Sequence, residues 1–288
     1  MLHAFADSLP LARALAAVLG CALAAVEVHR FPDGESRVRV CARAGEPAVL
    51  LRSLHDPNAK LVEVLLAADA LRRAGAGPLT LIAPYLGYMR QDAVFAPGDA
   101  VSQRVVGRVL GEAFERVLCV EAHLHRVRSL AEVFPCEAVS LPAAPALAAW
   151  LRGAGAPLLV GPDEESEPWL AELARRSGLP ACVAAKRRRG DREVEITLPA
   201  LARGAERAVM VDDIVSTGAT LAALARALAA AGVPTVEALA VHAVFAPGAE
   251  QALAAAGVAR VATTDTIPHP SNRVPVAPLL AAALGEAA

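Results

Sequence analysis

Residues 209–221 read VMVDDIVSTGATL, and this stretch decides the fold. Three apolar residues, Val209, Met210 and Val211, lead to Asp212 and Asp213, so a buried strand runs into two adjacent acids. The run Ser216-Thr217-Gly218-Ala219-Thr220 then forms a turn of small residues that opens an Ala-rich helix. Small residues let backbone N–H groups approach an anion, the hydroxyls of Ser216, Thr217 and Thr220 add donors, and the helix N-terminus adds a favourable dipole. The acids would face sugar hydroxyls, or a metal shared with a diphosphate. An N-capping hydroxyl on an ordinary strand–turn–helix is the plain alternative. It does not account for two adjacent carboxylates.

The same alternation of short strands with Ala/Leu-rich helices continues in both directions. Strands are predicted at 26–29, 36–40, 48–52, 79–83 and 116–120, then at 157–160, 181–184, 207–211, 236–241 and 260–263. Helices are predicted over 59–74, 101–113, 143–153, 167–177, 219–231 and 248–257, and residues 1–20 read as a short strand followed by an amphipathic helix. Such alternation means parallel sheets covered by helices, with ligands at the carboxyl ends of strands. The Pro-rich segment 140–145 suits a passage between two α/β units.

Composition excludes several classes. The 288 residues carry 28 Lys+Arg against 30 Asp+Glu, a net charge of −2, which argues against a protein coated for nucleic acid. Hydrophobic residues make up 55%, enough for sizeable cores, and no uncharged apolar run reaches membrane-spanning length. Five widely spaced cysteines without a CxxC point to a reducing, cytoplasmic setting.

Four other segments carry chemistry. Phe31-Pro32-Asp33-Gly34-Glu35 reads as a turn between two strands; Phe31 could stack on a base while Asp33 and Glu35 accept hydrogen bonds, or it is a routine hairpin turn. APYLGYMRQD (83–92) follows the strand at 79–83, and Arg90 and Gln91 supply planar donors suited to phosphate oxygens, or it is a solvated loop. His123 and His125 follow the strand at 116–120 and could point the same way. Lys186-Arg187-Arg188-Arg189, with Gly190 as a hinge, is a solvated hairpin tip or a loop that closes over phosphates.

The 209–221 run resembles the phosphoribosyl-diphosphate motif of type I phosphoribosyltransferases and ribose-phosphate diphosphokinases. FPDGE, PYLGYMRQD and VDD together, in type, order and spacing, resemble the second family, and the likeness extends over nearly the whole chain. It implies two phosphoribosyltransferase-like α/β domains, 1–141 and 142–288, each a mainly parallel sheet flanked by helices, with the last helix packing back on the first domain. It further implies ATP and ribose 5-phosphate as substrates, Mg²⁺ as cofactor, no nucleic-acid or membrane partner, and a homo-oligomer in which FPDGE and RQD come from neighbouring subunits. The positions that match the family's motifs are Phe31, Asp33, Gly34, Glu35, Arg90, Gln91 and Asp92 for ATP. They are Asp212, Asp213, Ser216, Thr217, Gly218, Ala219, Thr220 and Arg188 for ribose 5-phosphate, His123 and Asp163 for Mg²⁺, and Lys186 and Arg188 for catalysis. Three departures stand out: Glu164-Glu165 where many members have Gly-Gly, Ser216 where a carboxylate is common, and AVFAPGDAVS (93–102) in place of an Arg-rich regulatory stretch. A phosphoribosyltransferase consuming the diphosphate, and a catalytically weak regulatory paralogue, are the alternative readings.

Overall fold

The computed structural model describes residues 1–41, 43–124, 126–153, 155–189 and 193–285, and the chain divides into two units, 1–142 with 276–288, and 143–275.

In the first unit, β1 (Leu2–Phe5) leads through a 3-10 turn at 6–8 into α1 (Leu9–Leu19), then β2 (Leu23–Arg30), β3 (Ser36–Arg39) and β4 (Ala48–Leu51). These are followed by α2 (Pro57–Arg73), β5 (Leu79–Ile82), α3 (Ser102–Ala113), β6 (Arg116–Val120) and β7 (Glu137–Leu141). The seven strands lie in the order β3-β2-β1-β4-β5-β6-β7. Every pair is parallel except β2 with β3, which form an antiparallel hairpin at one edge. Apolar residues of both strand faces are buried, Leu50, Leu81 and Val117 on one and Leu51, Ile82 and Leu118 on the other, as a sheet covered by helices requires. Burial pushes the Cys119 thiol up to about 12, so it acts as a small apolar side chain.

The second unit contains α4 (Ala144–Leu151), β8 (Leu158–Gly161), α5 (Glu167–Ser177), β9 (Ala181–Val183), β10 (Ala185–Arg189) and β11 (Glu193–Thr197). It continues with β12 (Arg207–Val215), α6 (Ala219–Ala230), β13 (Thr235–Ala243), α7 (Ala249–Ala255), β14 (Val258–Thr264) and β15 (Asn272–Val274). Six of its strands form a parallel sheet in the order β15-β14-β13-β12-β8-β9, while β10 and β11 pair antiparallel as a separate ribbon. The chain ends in α8 (Ala277–Gly285), which groups with the first unit and packs on α1 and β7.

The structure corrects several boundaries. β7 and β15 carry no strong β signal and were not expected as strands. β12 does not stop at Val211: β13 continues beside it, pairing Asp212 with Ala240 and Ile214 with His242, so the ladder carries both acids inside the strand. The basic run 186–189 is strand β10 rather than a loop, paired with β11. The proposed hinge Gly190, and His125, lie outside the described residues, as do the side chains of Lys186 and Arg188.

Candidate active site

Each sheet has one point where strand order reverses, and there the loops diverge to open a crevice. In the second unit this point lies between β8 and β12, which are hydrogen-bonded neighbours. The loop after β8 carries Asp163, and β12 carries Asp212 and Asp213 at its carboxyl end. Proximity therefore follows from topology.

Three carboxylates meet there. Burial, the Asp213 carboxylate beside it and Asp163 across the crevice push the Asp212 pKa well above the ordinary carboxylate range. The Asp213 N–H donates to Asp212 Oδ1 at 2.9 Å, fixing the pair. Beyond β12 the turn enters α6 through Gly218, whose φ of 72° is left-handed. A Cβ there would also lie 3.2–3.3 Å from Leu253 and the Ala249 carbonyl, so only glycine suits the position. Ser216 is held by its carbonyl, which accepts from the Ala246 N–H at 3.1 Å. Thr217 Oγ1 accepts from the Ala219 N–H at 3.4 Å. Asp163 is extended and its carbonyl accepts from Ser166 Oγ at 2.6 Å, which folds Glu164–Ser166 into a 3-10 turn and leaves Glu164 and Glu165 exposed. A cavity of about 720 Å³ opens elsewhere in this unit, where β12 to β14 begin, but Arg207 and Arg260 there are already paired with Glu237. It lies at the wrong end of the sheet for a strand-end site.

The first unit presents the other predicted segments on two elements. FPDGE caps the β2–β3 hairpin: the Phe31 N–H donates to the Glu35 carbonyl at 2.8 Å, and Gly34 takes φ 93°. Asp33 Oδ1 accepts from the Glu35 N–H at 3.1 Å, so that carboxylate also shapes the turn. Phe31 is exposed and meets His29 edge-on at 4.7 Å. RQD follows β5. Its shape depends on a residue the sequence reading passed over: Gln103 of α3, fully buried, donates from Nε2 to the Met89 carbonyl at 3.3 Å, and its N–H donates to the Gln91 carbonyl at 3.2 Å. A buried glutamine opening an apolar-faced helix is the signal that could have found it. Asp92 has a nearly buried side chain; Oδ1 accepts from Arg126 at 2.6 Å, while Oδ2 has no partner among the described residues. An orphaned buried acceptor fits a group still to be supplied by a ligand.

His123 follows the end of β6, where Glu121 adopts φ 41° and its N–H donates to the Leu141 carbonyl at 2.8 Å. The Ala122 N–H donates to Ser140 Oγ at 2.8 Å. These bonds to β7 redirect the chain and present His123. No group of three or more His, Cys, Asp or Glu is placed to hold a metal among the described residues. Mg²⁺ needs no such cage, because it keeps waters and binds through one or two carboxylates plus substrate phosphates. The crowded acids Asp163, Asp212 and Asp213, one of them disfavoured as a carboxylate, fit such a cation.

Known proteins match this arrangement. Residues 1–113 match the family described as the N-terminal domain of ribose phosphate pyrophosphokinase, and residues 141–276 the phosphoribosyl transferase domain. A ribose-phosphate pyrophosphokinase of Methanopyrus kandleri is 36% identical over 285 residues, covering 98% of this chain and 97% of the relative. One from Thermococcus kodakarensis is 34% identical, covering 91% and 92%. The crystal structure of phosphoribosylpyrophosphate synthetase from Mycobacterium smegmatis superposes with a TM-score of 0.85 at 28% identity, covering 100% of this chain and 98% of that one. With both halves matched and the relatives aligned end to end, the chain belongs to the ribose-phosphate pyrophosphokinase family.

Proposed function

We propose that this chain transfers the β,γ-diphosphoryl group of ATP to the 1-hydroxyl of ribose 5-phosphate, giving phosphoribosyl diphosphate and AMP, as a transferase of nucleotide biosynthesis. The observation that carries the reading is the switch point of the second unit: acids on one wall, and a small-residue turn opening α6 beside them. The turn Ser216–Thr220 binds the 5-phosphate through backbone N–H groups, hydroxyls and the α6 dipole. Asp212 and Asp213 accept from the ribose hydroxyls.

Phe31 stacks on the base, Glu35 and Asp33 accept at the base or ribose, and Gly34 keeps the turn open. Arg90 and Gln91 donate to nucleotide oxygens, and Asp92 completes that wall. The ribose oxygen attacks the β-phosphorus and gives up its proton as the bond between the β-phosphorus and the bridging oxygen breaks; that oxygen leaves with AMP. Lys186 and Arg188 stabilise the negative charge of this leaving group. In the register of the ribbon, Lys186 and Arg188 pair with Ile196 and Val194, and Arg187 and Arg189 with Glu195 and Glu193. His123 and Asp163 hold Mg²⁺, which when bound supplies charge neutralisation on the phosphates.

A homo-oligomer fits the exposed apolar side chains Val62 and Leu66 on α2 and Val105 and Val109 on the adjoining α3. The cysteines are free, no helix of the described residues is long and apolar enough to cross a membrane, and a cytoplasmic setting fits both. The test is AMP release by purified protein given ATP, Mg²⁺ and ribose 5-phosphate. Lys186→Ala is expected to lower kcat by about 1000-fold, within the range for removing one preorganised transition-state donor, with nucleotide affinity little changed. Near-normal turnover in that variant would remove Lys186 from the mechanism. Retained nucleotide binding without AMP would favour the regulatory paralogue.

A further inference from the structure

Glu63 is fully buried on α2, where a carboxylate is tolerated only when paired. Its Oε1 accepts from Arg30 Nε at 3.0 Å and from Ser36 Oγ at 3.0 Å. Its Oε2 accepts from Arg52 Nη1 at 2.6 Å. Burial opposes its ionisation, but the hydrogen bonds from Arg30, Arg52 and Ser36 outweigh that and hold it below the usual carboxylate range. Arg52 is itself fixed, donating to Asp7 Oδ2 at 3.2 Å and lying 3.9 Å over the Phe5 ring.

The positions of the two donors to Oε1 are informative. Arg30 is the last residue of β2 and Ser36 the first of β3, so they bracket the turn Phe31–Glu35. The turn's internal bonds set its shape but not its place. β3 is a four-residue edge strand that pairs with β2 alone among the described residues, and beyond the packing of Val28 and Val38 on the core the ladder does little to fix the tilt of the hairpin. One oxygen of α2 holds both ends.

We propose that Glu63 is a positioning residue for the nucleotide, anchoring both ends of the Phe31–Glu35 turn so that it is in place before the base arrives. This rests on the reading of that turn as an ATP element. A small displacement of a contact residue is enough to cost affinity, and support behind a binding residue carries energy although it never touches the ligand.

The experiment compares Phe31→Ala, Glu63→Gln, Arg30→Met and the Arg30→Met/Glu63→Gln double variant, reading KM for ATP, KM for ribose 5-phosphate and kcat. Arg30→Met replaces an exposed side chain and keeps its stem, so it tests the anchor even where Glu63→Gln folds poorly. In Glu63→Gln and Arg30→Met, KM for ATP is expected to rise about tenfold, the equivalent of one charge-assisted hydrogen bond. KM for ribose 5-phosphate and kcat should stay near wild type. Because Arg30 acts through Glu63, the double variant should be no worse than Glu63→Gln. Additive losses would overturn the anchor by making Arg30 a direct ligand, and so would unchanged KM values in the single variants alongside a raised KM in Phe31→Ala. An unchanged KM in Phe31→Ala would sink the ATP reading of the turn and the anchor with it.

Discussion

The two sheets reverse direction once each, and the two reversal points are furnished in opposite ways. In the first unit it lies between β1 and β4, and the diverging loops and α2 bring together Asp7, Arg52, Lys60 and Glu63. Cations and anions meet there: Arg52 bonds both acids, Arg30 bonds Glu63 from the hairpin, and Lys60 lies 3.5 Å from Asp7 and donates to the Ser53 carbonyl at 3.2 Å. In the second unit the equivalent place holds Asp163, Asp212 and Asp213, and burial together with like charges raises the pKa of Asp212. The same topology thus makes a mixed-charge lattice in one half and a cluster of carboxylates in the other. Crowded carboxylates are what a sugar, a cation or both can engage. The mixed lattice supports the hairpin next to it.

The sharpest way to break that contrast is to take a cation out of the first unit's lattice. Arg52→Leu leaves Glu63 with Ser36 and the exposed Arg30 as partners, and losing one member of a buried pair costs about 3–5 kcal/mol. Chemical denaturation should show that loss. The Arg52→Leu/Glu63→Leu double variant should recover much of the stability yet retain a raised KM for ATP, since the hairpin anchor is gone.

The second unit should respond with the opposite sign. Asp212→Asn removes one charge from the crowded pair, so the ligand-free protein should melt at a higher temperature. At the same time kcat/KM for ribose 5-phosphate should fall about 10- to 100-fold, the size of a hydrogen bond to a charged group at about 1.5–3 kcal/mol. Stability and activity measured on the same preparation check this, and a variant that loses both would contradict the reading of these acids as ligand groups.

What the sequence made legible were features written in consecutive residues. The strand into VDD and the turn after it, the FPDGE hairpin and the strand–helix alternation each announce themselves within about a dozen positions. The paired switch point of the first unit does not. Asp7, Arg52, Lys60 and Glu63 come from three separate segments, and on α2 a Lys and a Glu three apart look like ordinary solvated charges. Only the β1–β4 adjacency puts them indoors. The extent of β12 was misjudged for a related reason: acids normally end strands, and here pairing with β13 overrides that preference. Gln103 and Arg126, which shape the RQD loop from elsewhere in the chain, belong to the same class of long-range supports.

Besides Asp92 Oδ2, the first unit's exception to the pairing of buried polar groups, among the described residues, is His3 on β1. It is 1% exposed, and neither ring nitrogen has a partner among the described residues. Burial, then the nearby N-terminal ammonium, lower its pKa from 6.5. A depressed folded value means that the unfolded chain takes up the proton first. Stability from a neutral His3 is therefore complete above about pH 6.5 and is lost as pH falls below it, by at most about 1.4 kcal/mol per pH unit for one proton. His55, lowered by burial and by Lys60, adds to the same limb. His3→Leu should raise stability at neutral pH by about 1 kcal/mol, since it removes unpaired buried nitrogens, and should flatten the decline between pH 6.5 and 5. Denaturation midpoints across that range are the measurement. An equally steep decline in the variant would move the acid sensitivity to His55 and its neighbours, and the paired lattice rather than its exception would then set the lower pH limit of the fold.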